Sequence, residues 1–348
     1  MKDSGELLRE LSEAVGVSGR EEAVRRIIYE AVKPHVDEIK VDALGNMITF
    51  KQGRADGDRL KVMAAAHMDE VGLMITGHAD NGCLEFHPVG GVADQALAGK
   101  RVQVGPDRVP GVIGLKPIHL TKGGERQKVV KKDGLAIDVG ASSKEEAEKV
   151  AKVGDLATFL TPFTELGPTF LGKAFDDRAG CAALIELVRG ERFDFDLYAV
   201  FTVQEEVGLR GAQVAAYAVE PDAAFVVDCT PANDMPKKKE ASPNTVLGQG
   251  PAIYILAGRT FSDRRLVDLL TQAGDEEGIP YQIRQPGGGG TDAGSIQLAR
   301  AGVPVVSVSV PGRYIHSSAA IISREDFENT PRLILAALSR LTRELLER

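Results

Sequence analysis

The sequence predicts an α/β fold, a mainly parallel sheet flanked by helices with a β-rich domain inserted into it, and three observations carry the expectation. Apolar runs that read as strands alternate with amphipathic helical stretches up to residue 70 and again after residue 166. Between them, helical periodicity almost disappears and glycines punctuate short apolar segments. A chain of 348 residues is also long for one core. The expected division is residues 1–70 with 166–348 as one domain and 71–165 as the insert.

Taken in order, Ser4 is placed to cap a helix running to about residue 14. Ser18 is placed to cap a second, with Ala23, Val24, Ile27, Ile28 and Val32 on one face and Pro34 at its end. Residues 36–41 and 47–50 flank Leu44-Gly45-Asn46 as paired strands. Residues 60–66 form a nearly continuous apolar run, the mark of a strand covered on both faces, which delivers His67 and Asp69 at its end. In the insert, Val102-Gln-Val104 and Gly111-Val-Ile-Gly-Leu115 are short apolar segments, and only residues 142–153, with Ser143 as cap, read as a helix. Beyond it come a helix at 179–188, a strand at 197–203, a helix at 209–218, a strand at 223–227, a helix at 266–273 and a strand at 303–308. Thr291 or Asp292 is positioned to cap the helix that follows the four glycines 287–290, and one long helix over 324–346 closes the chain.

Composition narrows the partners. Net charge is -8, and the short Lys237-Lys238-Lys239 run reads as a solvated loop, so neither nucleic acid nor an anionic membrane is expected as the main partner. Cys83, Cys181 and Cys229 form no Cys-x-x-Cys pair, which argues against a disulfide framework or a thiolate zinc site. Cys181 and Cys229 read as core fillers. The polar start, Met1-Lys-Asp-Ser-Gly-Glu, lacks an apolar signal core, and no apolar run approaches the ~20 residues that cross a bilayer. A cytoplasmic protein is expected. The glycines at 287–290 lack the Lys-Ser/Thr that completes a phosphate-binding loop.

In an open α/β sheet, ligands bind beyond the carboxyl ends of the strands. Those ends carry His67 with Asp69, Glu205 with Glu206, and Asp228, while Asp176-Asp177-Arg178 and His316 lie in loops. Adjacent carboxylates do not both stay ionised in a partly desolvated cleft unless positive charge lies beside them, and a divalent metal is the usual source. Singly, each residue has a plainer reading: a hydrogen-bonded structural histidine, a turn-forming Asp228, or Asp176-Asp177 facing a helix dipole. Together they offer imidazole nitrogens and carboxylate oxygens without a thiolate, a set suited to zinc, cobalt or manganese in a hydrolytic centre. Asp69, two residues beyond His67, is spaced to accept the second ring N–H.

Ala66-His-Met-Asp-Glu-Val-Gly72, Ala174-Phe-Asp-Asp-Arg-Ala-Gly180, Val203-Gln-Glu-Glu-Val-Gly-Leu-Arg-Gly211, Val227-Asp-Cys229 and Arg313-Tyr-Ile-His-Ser317 resemble the tetrahedral (TET) metallo-aminopeptidases, a family that includes glutamyl and deblocking aminopeptidases. The likeness extends to Gly111-Val-Ile-Gly-Leu-Lys-Pro117, Ile137-Asp-Val-Gly-Ala-Ser-Ser143 and Gly289-Gly-Thr-Asp-Ala-Gly294, and so covers nearly the whole chain in order. The resemblance implies a zinc-exopeptidase-like fold and two divalent metal ions, zinc first and cobalt or manganese as alternatives. Asp176 would bridge them, with His67 and Asp228 on one and Glu206 and His316 on the other. It further implies that Asp69 fixes the His67 tautomer and that Glu205 is the general base. The reaction would be metal-dependent hydrolysis of N-terminal residues from peptides. The insert would mediate dimerisation, with dimers assembling into a tetrahedral dodecamer. Asp292 would lie near the site.

A glycosidase is the first competing reading. Against it, Glu205 and Glu206 are adjacent instead of facing each other across a sugar, and the chain has no Trp and only 5% aromatics. A metallo-carboxypeptidase or amide deacylase on the same scaffold, and a non-catalytic peptide-binding protein, are the others. His35, His78, His87 and His119 lie outside the motifs, with His119 the one best placed for a subunit contact. Preference at the substrate N-terminus is open: Arg or Lys in the pocket would favour Glu and Asp, and an apolar wall would favour Leu.

Overall fold

The computed structural model of the chain describes residues 3–124, 127–234, 245–287 and 289–347. The Lys237-Lys238-Lys239 run lies outside these residues, as does one of the glycines at 287–290. The main layer is a mixed sheet in the order Glu38–Val41, Met47–Lys51, Asp196–Thr202, Lys61–His67, Ala223–Pro231, Val305–Arg313, Ala320–Ser323, Thr169–Gly172 and Thr164–Leu166. Its centre, from Asp196–Thr202 to Val305–Arg313, is parallel. Antiparallel pairings extend both edges.

Period-two alternation along the central strands divides the core in two. Val62, Ala64 and Ala66 face one cluster together with Phe201, Phe225 and Val308, beneath helices Ser4–Glu13, Glu22–Val32, Phe175–Arg189, Arg264–Glu277 and Arg324–Leu338. Met63, Ala65, Val200 and Val226 face the other, beneath Arg210–Val219 and Ala293–Ile296. Coverage on both faces is why the run before His67 is apolar without a break from Val62 to Ala66.

Several caps differ from expectation. Asp3 caps the first helix, its carboxylate accepting from the N–H of Gly5 and Glu6, because Ser4 is already the first helical residue and the cap position falls one residue before it. Ser18 caps nothing: the second helix begins at Glu22, and the Ser18 hydroxyl donates to Asp69. Of the two residues expected at the helix after the glycines, Thr291 does the capping, its Oγ1 accepting from the N–H of Ala293. The closing helix ends at Leu338, where Ser339 and Arg340 donate to the carbonyls of Leu335 and Ala336, and a separate turn, Arg343–Leu346, follows. Ser143 caps Lys144–Val150 as expected.

The inserted segment closes into a β-barrel in the order Gly72–His78, Leu84–Val89, Leu135–Asp138, Val109–Leu115, Arg101–Val104 and Leu156–Phe159. It has its own core, including Leu73, Ile75, Leu84, Val102, Ile113, Ile137 and Phe159. The chain re-enters the main sheet through Thr164–Leu166. Among the described residues, no helix is long and apolar enough to cross a membrane.

Candidate metal centre

Strand register brings the site residues to one level. Thr202 pairs with His67 and Val226 pairs with Ala65, so Asp228, two residues on, comes level with His67 on the neighbouring strand. Glu205 and Glu206 lie in the turn just past Thr202, where the Glu205 carbonyl accepts from the N–H of Gly208 and of Leu209. Gly208 holds φ +122°, a conformation that favours glycine.

Asp69 organises this turn. Its buried carboxylate accepts from Glu205 N at 3.0 Å, from Glu206 N at 3.2 Å and from Ser18 Oγ at 2.6 Å. Its distance to His67 Nδ1 is 3.4 Å, whereas its backbone oxygen is nearer, at 3.1 Å. With Nδ1 turned to Asp69, Nε2 of His67 faces Asp176 Oδ1 at 3.1 Å and Asp228 Oδ1 at 3.8 Å.

Asp176 and Asp177 depart from helical geometry at the start of Phe175–Arg189, and their peptide bond is cis. The two carboxylates serve different neighbours. Asp177 is turned to backbone, accepting from His67 N at 3.1 Å and Gly180 N at 2.9 Å. Asp176 presents Oδ1 to His67 and Oδ2 to His316 Nε2, 3.3 Å away. His316 Nε2 is also 3.5 Å from Glu206 Oε2, and its Nδ1 lies 3.0 Å from the carbonyl oxygen of Gly91 in the inserted barrel. The structure thus brings together two triads, His67–Asp176–Asp228 and Asp176–Glu206–His316, each with its ligand atoms within 4.8 Å of one another and with Asp176 common to both. Among the described residues, the other four histidines belong to no such group.

Electrostatics shows what the protein itself leaves uncompensated. Burial pushes the Glu205 carboxyl up to about 10, with His67 opposing and Asp228, Asp292 and Glu206 adding to the shift. Burial and the nearby Asp176 push Glu206 up to about 8. Burial, Asp176 and Asp177 likewise carry Asp228 well above the usual carboxylate range. Asp176 goes the other way: burial works to raise it, but hydrogen bonds from His316 and His67 hold it well below its ordinary value. Burial disfavours a charged His316, yet Asp176 and Glu206 bring it up to about 10. Two imidazoles do not neutralise so many buried acids, and protons fill the deficit that cations would fill. Oxygen and nitrogen donors in this charge state fit hard or borderline divalent ions.

Behind the triads, Glu70 accepts from Lys173 Nζ at 2.7 Å and Thr158 Oγ1 at 3.0 Å, and it pairs with Arg178 at 3.4 Å. Arg178 is wholly buried and also donates to the carbonyls of Met68, Leu11 and Gly16. Burial depresses Lys173 to about 8, against the pull of Glu70. Asp292 accepts from Thr202 Oγ1 through one oxygen, and the other has no partner among the described residues. Sequence reasoning missed Glu70, Lys173 and Gly91. The first two sit inside or next to quoted motifs, while Gly91 acts through its backbone and carries no residue-type signal.

A cleft of about 690 Å³ opens onto the centre, with Asp176, Glu205, Glu206, Asp228 and His316 on one side and Tyr254, Arg259 and Arg284 among its other lining residues. Among the described residues, the Glu205 side chain has no hydrogen-bond or ion-pair partner, so its carboxylate is available to a molecule in that cleft.

Paired imidazole–carboxylate triads at the strand ends of a helix-flanked sheet define the metallohydrolase class. Within it, the chain belongs to the M42 glutamyl aminopeptidase family, whose sequence model matches residues 45–333, and its activity is that of an aminopeptidase. It is 40% identical over 339 residues to a putative aminopeptidase of Acetivibrio thermocellus, covering 97% of this chain and 99% of the relative. It is 36% identical over 345 residues to the lysyl aminopeptidase of Pyrococcus furiosus, with 97% of each covered. The TET aminopeptidase of the marine sediment archaeon Thaumarchaeota archaeon SCGC AB-539-E09 superposes with a TM-score of 0.94 at 39% identity, over 99% of this chain and 98% of that one. The Pyrococcus horikoshii TET1 peptidase, which assembles into a tetrahedron or a large octahedral shell, superposes with a TM-score of 0.86 at 34% identity, over 97% and 100%.

Proposed function

We propose that the chain hydrolyses N-terminal residues from peptides at a dinuclear centre, with one divalent cation held by His67, Asp176 and Asp228 and a second by Asp176, Glu206 and His316. The observation that carries this reading is the sharing of Asp176, whose two oxygens face different imidazoles. When bound, such ions supply Lewis acidity to the scissile carbonyl and to water. The chain's own residues do the rest. Glu205, unpartnered at the cleft, takes the proton from water and returns it to the leaving amine. Asp69 holds the backbone of both glutamates, which keeps the proton carrier beside the ligand Glu206. The free α-amine would be held by the second cation or by nearby carboxylates, and that requirement restricts cleavage to chain ends. Zinc is the metal we favour, on its affinity for mixed nitrogen and oxygen sites, with cobalt or manganese as substitutes.

Glu205→Gln tests the assignment. It is expected to keep its metal while losing about 10²–10⁴-fold in aminoacyl-anilide turnover, the usual contribution of a positioned general base. Normal turnover by this variant would remove Glu205 from that role.

The assembly we infer is a homo-oligomer in which dimers, joined through the inserted barrel, build a tetrahedral dodecamer. The TET relatives support it, and Leu115, Ile118 and Leu120 are exposed in the inserted segment. Light scattering on the metal-loaded protein is expected to give twelve-chain mass, and a dimer alone would contradict it.

A further inference from the structure

Asp69 is wholly buried, and each oxygen of its carboxylate has two polar neighbours. Oδ1 accepts from Glu205 N at 3.0 Å and stands 3.4 Å from His67 Nδ1. Oδ2 accepts from Glu206 N at 3.2 Å and from Ser18 Oγ at 2.6 Å. Three of these four groups belong to the strand end and the turn that carry the reacting residues. Ser18 comes from elsewhere. It is a part-buried residue of the segment between the first two helices, and it is absent from the described residues that line the cleft. That segment is anchored on both sides of the hydroxyl. Val17 is buried and forms a parallel bridge with Glu70, whose N–H donates to Gly16 O at 3.0 Å and whose Oε1 accepts from Gly16 N at 3.1 Å. Arg20 N donates back to Val17 O at 2.8 Å, closing a turn across Ser18 and Gly19 in which Gly19 holds φ +87°. The buried Glu21 carboxylate accepts from Gly19 N at 2.6 Å. Ser18 therefore reaches Asp69 from a turn that is already fixed.

A carboxylate can turn about its Cβ–Cγ bond, and the bonds on its two oxygens decide where it stops. On Oδ2 the Ser18 bond is the shorter of the two, by 2.6 Å to 3.2 Å. Without it, a buried anionic oxygen keeps one long bond, a state that costs free energy and that rotation of the carboxylate relieves. The amides of Glu205 and Glu206 hang on different oxygens of that carboxylate, so they move with it. We propose that Ser18 is a positioning residue for the hydrolysis: by pinning Oδ2 of Asp69 it fixes the backbone of the Glu205–Glu206 turn, and with it the place of the proton carrier beside its neighbouring ligand. The inference rests on the aminopeptidase reading with Glu205 as base. Ser18 touches neither the cleft nor a triad residue, so its loss acts on turnover of bound substrate and not on substrate binding. A small displacement is enough, because proton transfer needs the base within hydrogen-bond reach of the proton it takes.

The experiment measures kcat and KM, bound metal after loading and desalting, and the thermal midpoint of the full-length protein and its Ser18→Ala, Ser18→Cys and Ser18→Thr variants. The substrate is whichever of the glutamyl-, leucyl- and lysyl-p-nitroanilides the parent hydrolyses fastest. Ser18→Ala is expected to lower kcat about 10-fold, the lower end of what loss of an outer partner costs, with KM and metal content as in the parent. Ser18→Thr keeps the hydroxyl and is expected to restore most of kcat, and Ser18→Cys, with its weak S–H donor, to fall between. A merely structural Ser18 would lower the midpoint and leave kcat per folded, metal-loaded chain unchanged, and that result overturns the proposal. So does a loss confined to KM, a loss that excess metal reverses, or a loss of equal size in all three variants. Each of these leaves the aminopeptidase reading intact. Absence of hydrolysis of every anilide by the parent overturns both.

Discussion

The main sheet and the inserted barrel contribute to the centre in opposite ways. The sheet and its loops supply side chains: His67, Glu206 and Asp228 at or just past level strand ends, Asp176 from a helix start, and His316 after the Val305–Arg313 strand. The barrel supplies no side chain to either triad. It offers the Gly91 carbonyl to His316 Nδ1 and the Thr158 hydroxyl to Glu70, and Thr161, just past its last strand, donates to the carbonyl of Ser318. One region carries the proposed ligands, and the other supplies the carbonyl that one of them, His316, faces. Orienting the far nitrogen of a metal-binding imidazole influences affinity without touching the ion.

The comparison can be broken from the sheet side first. Asp176→Asn removes charge from both triads at once, and the expected result is loss of aminoacyl-anilide turnover to background, measured with metal in excess. Losing a direct ligand should exceed the about 10- to 100-fold affinity loss typical of outer partners. A variant that kept substantial turnover would show that the two triads do not depend on their common residue.

A smaller effect is expected from the barrel side. In Gly91→Ala, the added Cβ would stand 3.1 Å from His316 Nδ1 and press the ring away from its acceptor. The expected outcome is about 10-fold weaker retention of one metal equivalent against a chelator, with the other equivalent held as in the parent. Equal weakening of both equivalents would mean that the barrel acts on the whole centre instead of on His316.

The same division explains how much could be read in advance. His67, Glu205, Glu206 and Asp228 are legible by residue type at the ends of apolar runs, Asp176 and His316 only as polar loop residues whose ligand roles the family resemblance implies, and the nearly continuous apolarity of residues 60–66 points to the central strand found there. Asp69 is expected to face His67, and its carboxylate stands 3.4 Å from Nδ1; the structure adds the amides of Glu205 and Glu206 and the Ser18 hydroxyl, because the turn after Thr202 folds back over it. The helix-cap expectation for Ser18 failed for the same reason: its hydroxyl was already engaged. Gly91 could not be foreseen, since a backbone carbonyl looks alike in every residue. Glu70, Lys173 and Arg178 form a buried charge cluster joining segments far apart in the chain, and no local pattern reports such a closure.

The central claim is that one carboxylate unites two metal positions. Metal content of the wild-type chain and of Asp176→Asn, measured side by side after zinc loading and desalting, tests it most directly. The account predicts two ions per wild-type chain and a loss at both positions in the variant. One ion in the wild type, or one ion retained at full affinity by Asp176→Asn, would contradict it.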